Sequence, residues 1–361
     1  MIWGELRSKL MTTNLKILLL ATATFMTTSP SIAQDAKSTP QAPILATGQL
    51  SSVSAGSQND PIAKAAAFYG TYQKDVGELQ SRGLSSVQDV DNALNTLAGQ
   101  NAAQLSRGWL AYAGLVASQS PELRTSVREI TAAYGADSIS SGMISDSGYV
   151  RRVLTGGNAS VSLALAASNA DSRRLKRTAD YFREQAYSLQ AQGWAKTKLR
   201  GNQMNSKVDS LIASSRTERP ARGSIVTAFA SPNINNALQQ AGNSGAPSLW
   251  DGVIDAASGV RFPSLRNPTL RASQRTVKRG HEATADQIAT LAAFRIIGVD
   301  SSNASYVRQA LGEGPIRGCV STAQLNINQC VAANSFPFET VDCIGKHAIG
   351  EVGACFAQAS N

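Results

Sequence analysis

From Asp60 onward, apolar residues recur at intervals of three and four. Ile62, Ala66, Tyr69, Tyr72, Val76 and Leu79 fall on one face of a helix. Asp60 before Pro61 marks its start, because a carboxylate accepts the orphan N–H groups of a first turn and a proline there forfeits no hydrogen bond. Gly83 marks its end. The same grammar repeats. Ser86 with Asp89 resembles a capping box ahead of Val87, Val90, Leu94 and Leu97, with Gly99 as the stop. Asn101 opens a third segment with Leu105, Trp109, Tyr112 and Val116 on one side, and Ser120-Pro121-Glu122 opens a fourth that stops at Gly135. Helical patterns follow at 150–154 and 158–167 and over a long run from Asp171 to Leu199. Residues 60–214 therefore read as an all-α domain.

The flanks have a different texture. Residues 34–59 are rich in Ser, Ala, Pro, Gln and Gly without an apolar period and read as a flexible linker. Residues 215–280 interleave five prolines with Asn, Ser and Gly, and read as an irregular basic segment with one strand or short helix near Leu249–Ile254. So long a structureless loop is uncommon inside a compact domain, so the segment either links two domains or wraps the helices. Order resumes at Ala283, where Ile288, Leu291, Ala292, Ile296 and Ile297 give a helix ending before Gly298, within a C-terminal, four-cysteine segment at 281–361. The fold class is predominantly α-helical: a multi-helix domain and a C-terminal disulfide-linked helical hairpin, with the Pro/Ser/Asn-rich segment between.

The N-terminus adds an address. Arg7, Lys9 and Lys16 precede an apolar run from Ile17 to Met26, and small residues end at Ser31-Ile32-Ala33. This is the pattern of a secretory signal peptide over residues 1–33, with cleavage after Ala33, and the run is about half the length a spanning helix needs. Elsewhere no stretch approaches the apolar length of a membrane span. Composition sharpens this little: 42% of the residues are hydrophobic and 16% charged, with 34 Lys and Arg against 25 Asp and Glu. The positive excess concentrates at Arg261, Arg266, Arg271, Arg275, Lys278 and Arg279, a stretch without one Asp or Glu. Such charge attracts phosphates or sulfates, and in an exported chain it points to lipopolysaccharide or lipid headgroups ahead of nucleic acid.

Signatures that fix a chemistry by spacing are absent: G-x-S-x-G, S-x-x-K, G-x-x-x-x-G-K-[ST] and H-E-x-x-H do not occur, and neither a cofactor motif nor a metal-ligand spacing is present. Gly312 to Gly318 is glycine-rich, but Pro315 removes an N–H that a phosphate cradle needs, so it reads as a turn. The candidate acids are Glu282 and Asp286 beside His281, which would share one helix face; the plainer reading puts both carboxylates in a first turn, opposing the helix dipole. Trp109, Trp194 and Trp250 at helical spacing read as core before sugar groove.

The four cysteines are the most specific feature. Cys319, Cys330, Cys343 and Cys355 all fall near the C-terminal end, and an even number in an exported chain implies disulfides. If 319–332 is helical, Cys319 and Cys330 lie about 16 Å apart along its axis, too far for the ~7 Å that a bridge allows. Asn334 to Phe338 reads as a turn, and Glu339 to Phe356 runs back, with Gly345, Gly350 and Gly353 allowing a break. Cys330 and Cys343 stand at nearly equal distances from Phe336, as do Cys319 and Cys355, so the expected rungs are Cys330–Cys343 and Cys319–Cys355. These features point to an exported periplasmic or cell-envelope protein with a non-enzymatic binding or scaffold role, whose partner is an envelope protein or an anionic envelope polymer. The alternative is an envelope hydrolase acting on peptidoglycan or an acidic polymer through Glu282 and Asp286.

Overall fold

A computed structural model describes residues 60–231, 234–244, 250, 275–299 and 302–361. The expected signal peptide at 1–33, the expected linker to residue 59 and most of Leu249–Ile254 lie outside the described residues. The architecture is all-helical: α1 (Pro61–Arg82), α2 (Val87–Ala98), α3 (Ala102–Ala117), α4 (Pro121–Tyr134), α5 (Ala136–Ser145), α6 (Tyr149–Val153), α7 (Gly157–Leu189), α8 (Gly201–Ser215), α9 (Gly223–Ala230), α10 (Ile234–Ser244), α11 (Glu282–Ile297), α12 (Ala304–Leu311), α13 (Arg317–Ala333), α14 (Pro337–Cys343) and α15 (Val352–Ala357). A π-helical stretch, Ile344–Glu351, joins α14 to α15 without interruption. Among the described residues the sole β element is an antiparallel bridge between Val277 and Ser360, and no helix is long and apolar enough to cross a membrane.

The caps behave as their chemistry demands. Asp60 Oδ1 accepts the Ile62 N–H at 2.8 Å, Ser86 caps Asp89, Asn101 caps Gln104 and Ser120 caps Leu123. The whole apolar stripe of α1, from Ile62 to Leu79, is buried. Helices α3 and α11 are apolar around most of their circumference, and both are buried on nearly every side. They form the centre, so helices from residues 60–214 and 281–361 share one hydrophobic core.

Three features differ from the sequence pattern. The separate helices expected at 158–167 and 171–199 are one helix, α7, which ends at Leu189; Trp194–Lys196 is a lone 3-10 turn. Ser168 and Asn169 break the apolar rhythm without breaking the helix, because Ser168 Oγ accepts the Trp109 indole N–H at 3.1 Å and Asn169 donates to the Leu165 carbonyl at 2.9 Å. In the Pro-rich segment, α9 and α10 form where Ile225, Phe229, Ile234 and Leu238 are buried, a case of tertiary packing stabilising helices too short to stand alone. Finally, Gly345, Gly350 and Gly353 do not break the returning helix. A side chain at Gly345 would meet the Ala179 carbonyl at 3.0 Å, and one at Gly353 would meet Leu175 Cβ at 2.8 Å. The missing Cβ atoms let this segment lie directly on α7, and the wider π turn aligns residues five apart.

Candidate functional site

The C-terminal clamp has the nested connectivity expected from the spacing. Cys319 pairs with Cys355 at a Cα separation of 5.7 Å, and Cys330 with Cys343 at 5.9 Å. The turn between the two arms is set by Glu339, whose carboxylate accepts the Ser335 and Phe336 N–H groups, with Pro337 starting α14. Inside the clamp, His347 Nδ1 lies 2.9 Å from Glu351 Oε1, near enough for an ion pair but off the line of a hydrogen bond. Asn326 on α13 donates to the other Glu351 oxygen at 2.8 Å. Among the described residues no group of three or more His, Cys, Asp or Glu is placed to hold a metal ion.

A second constellation lies in the middle of the core. Asp171 of α7 is buried and accepts two side-chain hydrogen bonds, from the Tyr69 hydroxyl at 3.0 Å and from Trp250 Nε1 at 2.9 Å. Aromatic rings enclose it. Tyr69 stacks on Tyr112 at 5.0 Å and meets Phe356 edge-on at 4.9 Å, and Trp250 leans on Tyr112 at 5.1 Å. Burial pushes the Asp171 carboxyl up to about 6, against the Arg174 charge and the hydrogen bonds that favour its ionised form. Burial, then the Asp171 charge, raises the Tyr69 and Tyr112 hydroxyls well above their ordinary value, so both stay protonated donors. Tyr112 feels that charge without an aligned hydrogen bond of its own, and Gln73 Nε2 and Arg174 Nε are likewise unbonded. One carboxylate thus ties α1, α7 and Trp250 together. With both oxygens engaged and rings on its sides, it is built as a hub and not as an open acid.

Sequence reading missed this hub because its members are far apart along the chain. One signal was available. Continuing the helical period unbroken through Ser168 places Asp171 in the buried stripe with Ala164, Leu165, Ser168 and Leu175, where an acid must find donors. Of the three tryptophans singled out from their spacing, Trp109 and Trp250 are buried and Trp194 is half-buried against the core.

Each candidate acid has a partner of its own. Asp286 Oδ1 is held by Arg151 Nε at 2.6 Å, while Glu282 accepts the Gly280 N–H at 2.8 Å in the first turn of α11. The acids are engaged separately, one in an ion pair between helices and one at a helix start. Of the basic stretch, Arg261, Arg266 and Arg271 lie outside the described residues. Arg275 donates its backbone N–H to Ser162 Oγ at 2.9 Å, and Lys278 and Arg279 are exposed. The glycine-rich run at 312–318 is a turn: Gly314 has φ +82°, and Ser106 Oγ, which a Cβ there would strike, accepts the Ile316 N–H at 3.0 Å.

Three further ion pairs join distant segments. Asp60 and Arg295, each 3% exposed, meet at 2.7 Å, fastening the start of α1 to the end of α11. Arg222 reaches back to α1 and bridges Asp75 and Glu78. Burial pushes the Asp75 carboxyl up to about 6, against the Arg222 charge. Comparison with family models, with curated proteins and with solved structures finds no match to this chain.

Proposed function

We propose that the protein is an exported scaffold of the periplasm or cell envelope, acting by binding and not by catalysis. The observation that carries this reading is the clamp, since two nested disulfides are stable in an oxidising compartment and rare in a reducing one. The leader pattern at 1–33 supports the same address. The buried and part-buried acids Asp286, Asp75, Glu78 and Asp171 support the binding role, because each has a structural partner: Arg151 for Asp286, Arg222 for Asp75 and Glu78, and Tyr69 and Trp250 for Asp171. A hydrolase of the kind first considered needs two carboxylates facing one substrate, with their protonation states set apart. Asp286 is instead paired with Arg151, and Glu282 accepts the Gly280 N–H.

In-cell crosslinking of the tagged full-length chain, followed by fractionation and mass spectrometry, tests the reading. The expected result is recovery from the envelope fraction, crosslinked to a reproducible envelope component. Recovery from the cytoplasm, or turnover of peptidoglycan by the purified protein, would overturn it.

A further inference from the structure

The corner between α1 and α2 holds a crevice of about 230 Å³, walled by Arg82, Asp89, Asn92 and Thr96 over the buried side chains of Leu79 and Ala93. The sequence sets these walls: Arg82 closes the last turn of α1, and Asp89, Asn92 and Thr96 recur at intervals of three and four along one side of α2. Two unlike charges therefore line one small space. The Asp89 carboxylate is fixed through a single oxygen. Its Oδ2 accepts the Ser85 N–H at 3.1 Å, the Ser85 hydroxyl at 2.8 Å and the Ser86 hydroxyl at 2.9 Å, while its Oδ1 accepts no hydrogen bond among the described residues. The bonds from Ser85, then those from Ser86, hold this carboxyl below its ordinary range, so it is ionised at neutral pH. Arg82 is exposed, and among the described residues its side chain has neither an ion pair nor a hydrogen bond, Asp89 included.

We infer that this crevice binds a small zwitterionic α-amino acid, its carboxylate on Arg82 and its ammonium on Asp89 Oδ1. The inference goes beyond the scaffold reading and does not depend on it. The two charges select the ligand class. A simple anion attracted by Arg82 also meets Asp89, and a simple cation attracted by Asp89 also meets Arg82, so attraction and repulsion offset each other. A neutral ligand answers neither charge, whereas a dipolar one answers both. The guanidinium fork matches a carboxylate, and a single open carboxylate oxygen suits one ammonium hydrogen. The volume is below the ~300–1,000 Å³ of sites for drug-sized ligands, which limits the occupant to a small molecule. Leu79 and Ala93 offer an apolar side chain a floor to cover. Because three donors orient Asp89 before any ligand arrives, little ordering is left for binding to impose.

Titration of the full chain with L-valine, N-acetyl-L-valine and L-valinamide at about 0.1 M salt, followed by ligand NMR, tests the assignment. The first analogue lacks the ammonium and the second lacks the carboxylate. The expected result is a Kd for L-valine on the order of 1 mM, with each analogue at least about fivefold weaker. Arg82→Gln should abolish the preference for valine over valinamide. Asp89→Asn, which keeps a side-chain oxygen for Ser85 and Ser86, should abolish the preference over N-acetylvaline. Arg177→Gln, which alters an exposed cation on α7, should leave both preferences in place. No saturable binding of L-valine by the wild-type chain up to about 20 mM, equal affinity for all three probes, or a preference that survives its variant would overturn the site. The crosslinking experiment is independent: an envelope location without valine binding removes the site alone, and a cytoplasmic location removes the scaffold reading alone.

Discussion

The Asp171 hub and the C-terminal clamp do the same work, holding helices from distant parts of the chain in one arrangement, by opposite physics. At the hub the links are two hydrogen bonds and a shell of rings around a carboxylate that burial disfavours. Their contribution is specificity as much as stability, because a buried acid tolerates one arrangement of donors and penalises the others. At the clamp the links are covalent and act mainly by restricting the unfolded chain. Phe356, one residue beyond Cys355, packs against Tyr69 and Tyr72, so the two devices meet at one side chain. The hub answers to protons and the clamp to reductant.

Reduction should have the largest effect. Opening both bridges is expected to cost about 4 to 8 kcal/mol at roughly 2 to 4 per bridge, read as a shift in urea midpoint with and without reductant. The bridges are also expected to differ. Cys319–Cys355 spans 36 residues and Cys330–Cys343 spans 13, so losing the outer one by serine substitution should cost about 1 kcal/mol more from loop entropy. Equal or reversed costs would show that the clamp acts through contacts in the folded state.

The next effect belongs to the hub. Asp171→Ala leaves the Tyr69 hydroxyl and the Trp250 indole without their acceptor, at about 1 to 3 kcal/mol for each orphaned donor. Asp171→Asn keeps an acceptor and should cost less. Denaturation of the oxidised protein measures both, and a cost for Asp171→Ala below that of Asp171→Asn would contradict the hub.

Protons should separate the two regions further. Asp171 and Asp75 bind a proton more tightly folded, at about 6, than at their ordinary value of 3.8. Between those values the folded chain holds more protons than the unfolded one, so these groups make stability fall as pH rises from about 4 to about 6 and add no further slope above. Asp171→Asn removes its share of the slope, while reduction of the disulfides leaves it in place. A slope unaltered by Asp171→Asn, followed as melting temperature against pH, would assign it elsewhere.

The contrast also shows what a sequence can reveal. The clamp was legible because its four cysteines are close along the chain and helix rise excludes a Cys319–Cys330 bridge. The caps at Asp60, Ser86, Asn101 and Ser120 were legible because each acts within a turn of itself. The hub was not, since Tyr69, Tyr112, Asp171 and Trp250 become neighbours only once α1, α3 and α7 have packed. Asp171 stood in the pattern as the start of a helix because Ser168 and Asn169 interrupt the apolar rhythm, and only the Trp109 bond to Ser168 shows why that interruption is tolerated. For Glu282 and Asp286 the sequence showed their shared helix but not their partners, the Gly280 N–H and Arg151.

The smallest expected effect lies outside both regions. Asp286→Asn weakens a partly exposed ion pair with Arg151 and should cost about 1 kcal/mol or less, measured by denaturation. Loss of a measurable peptidoglycan-degrading activity on that substitution would restore Asp286 as a catalytic acid.

The most direct test of an exported, disulfide-clamped scaffold is a peptide map of the full-length chain, taken without reduction from thiol-blocked cell fractions. The account predicts an envelope or secreted species beginning at Gln34, with Cys319 linked to Cys355 and Cys330 linked to Cys343. Four blocked free thiols in a cytoplasmic species that retains its leader would contradict it.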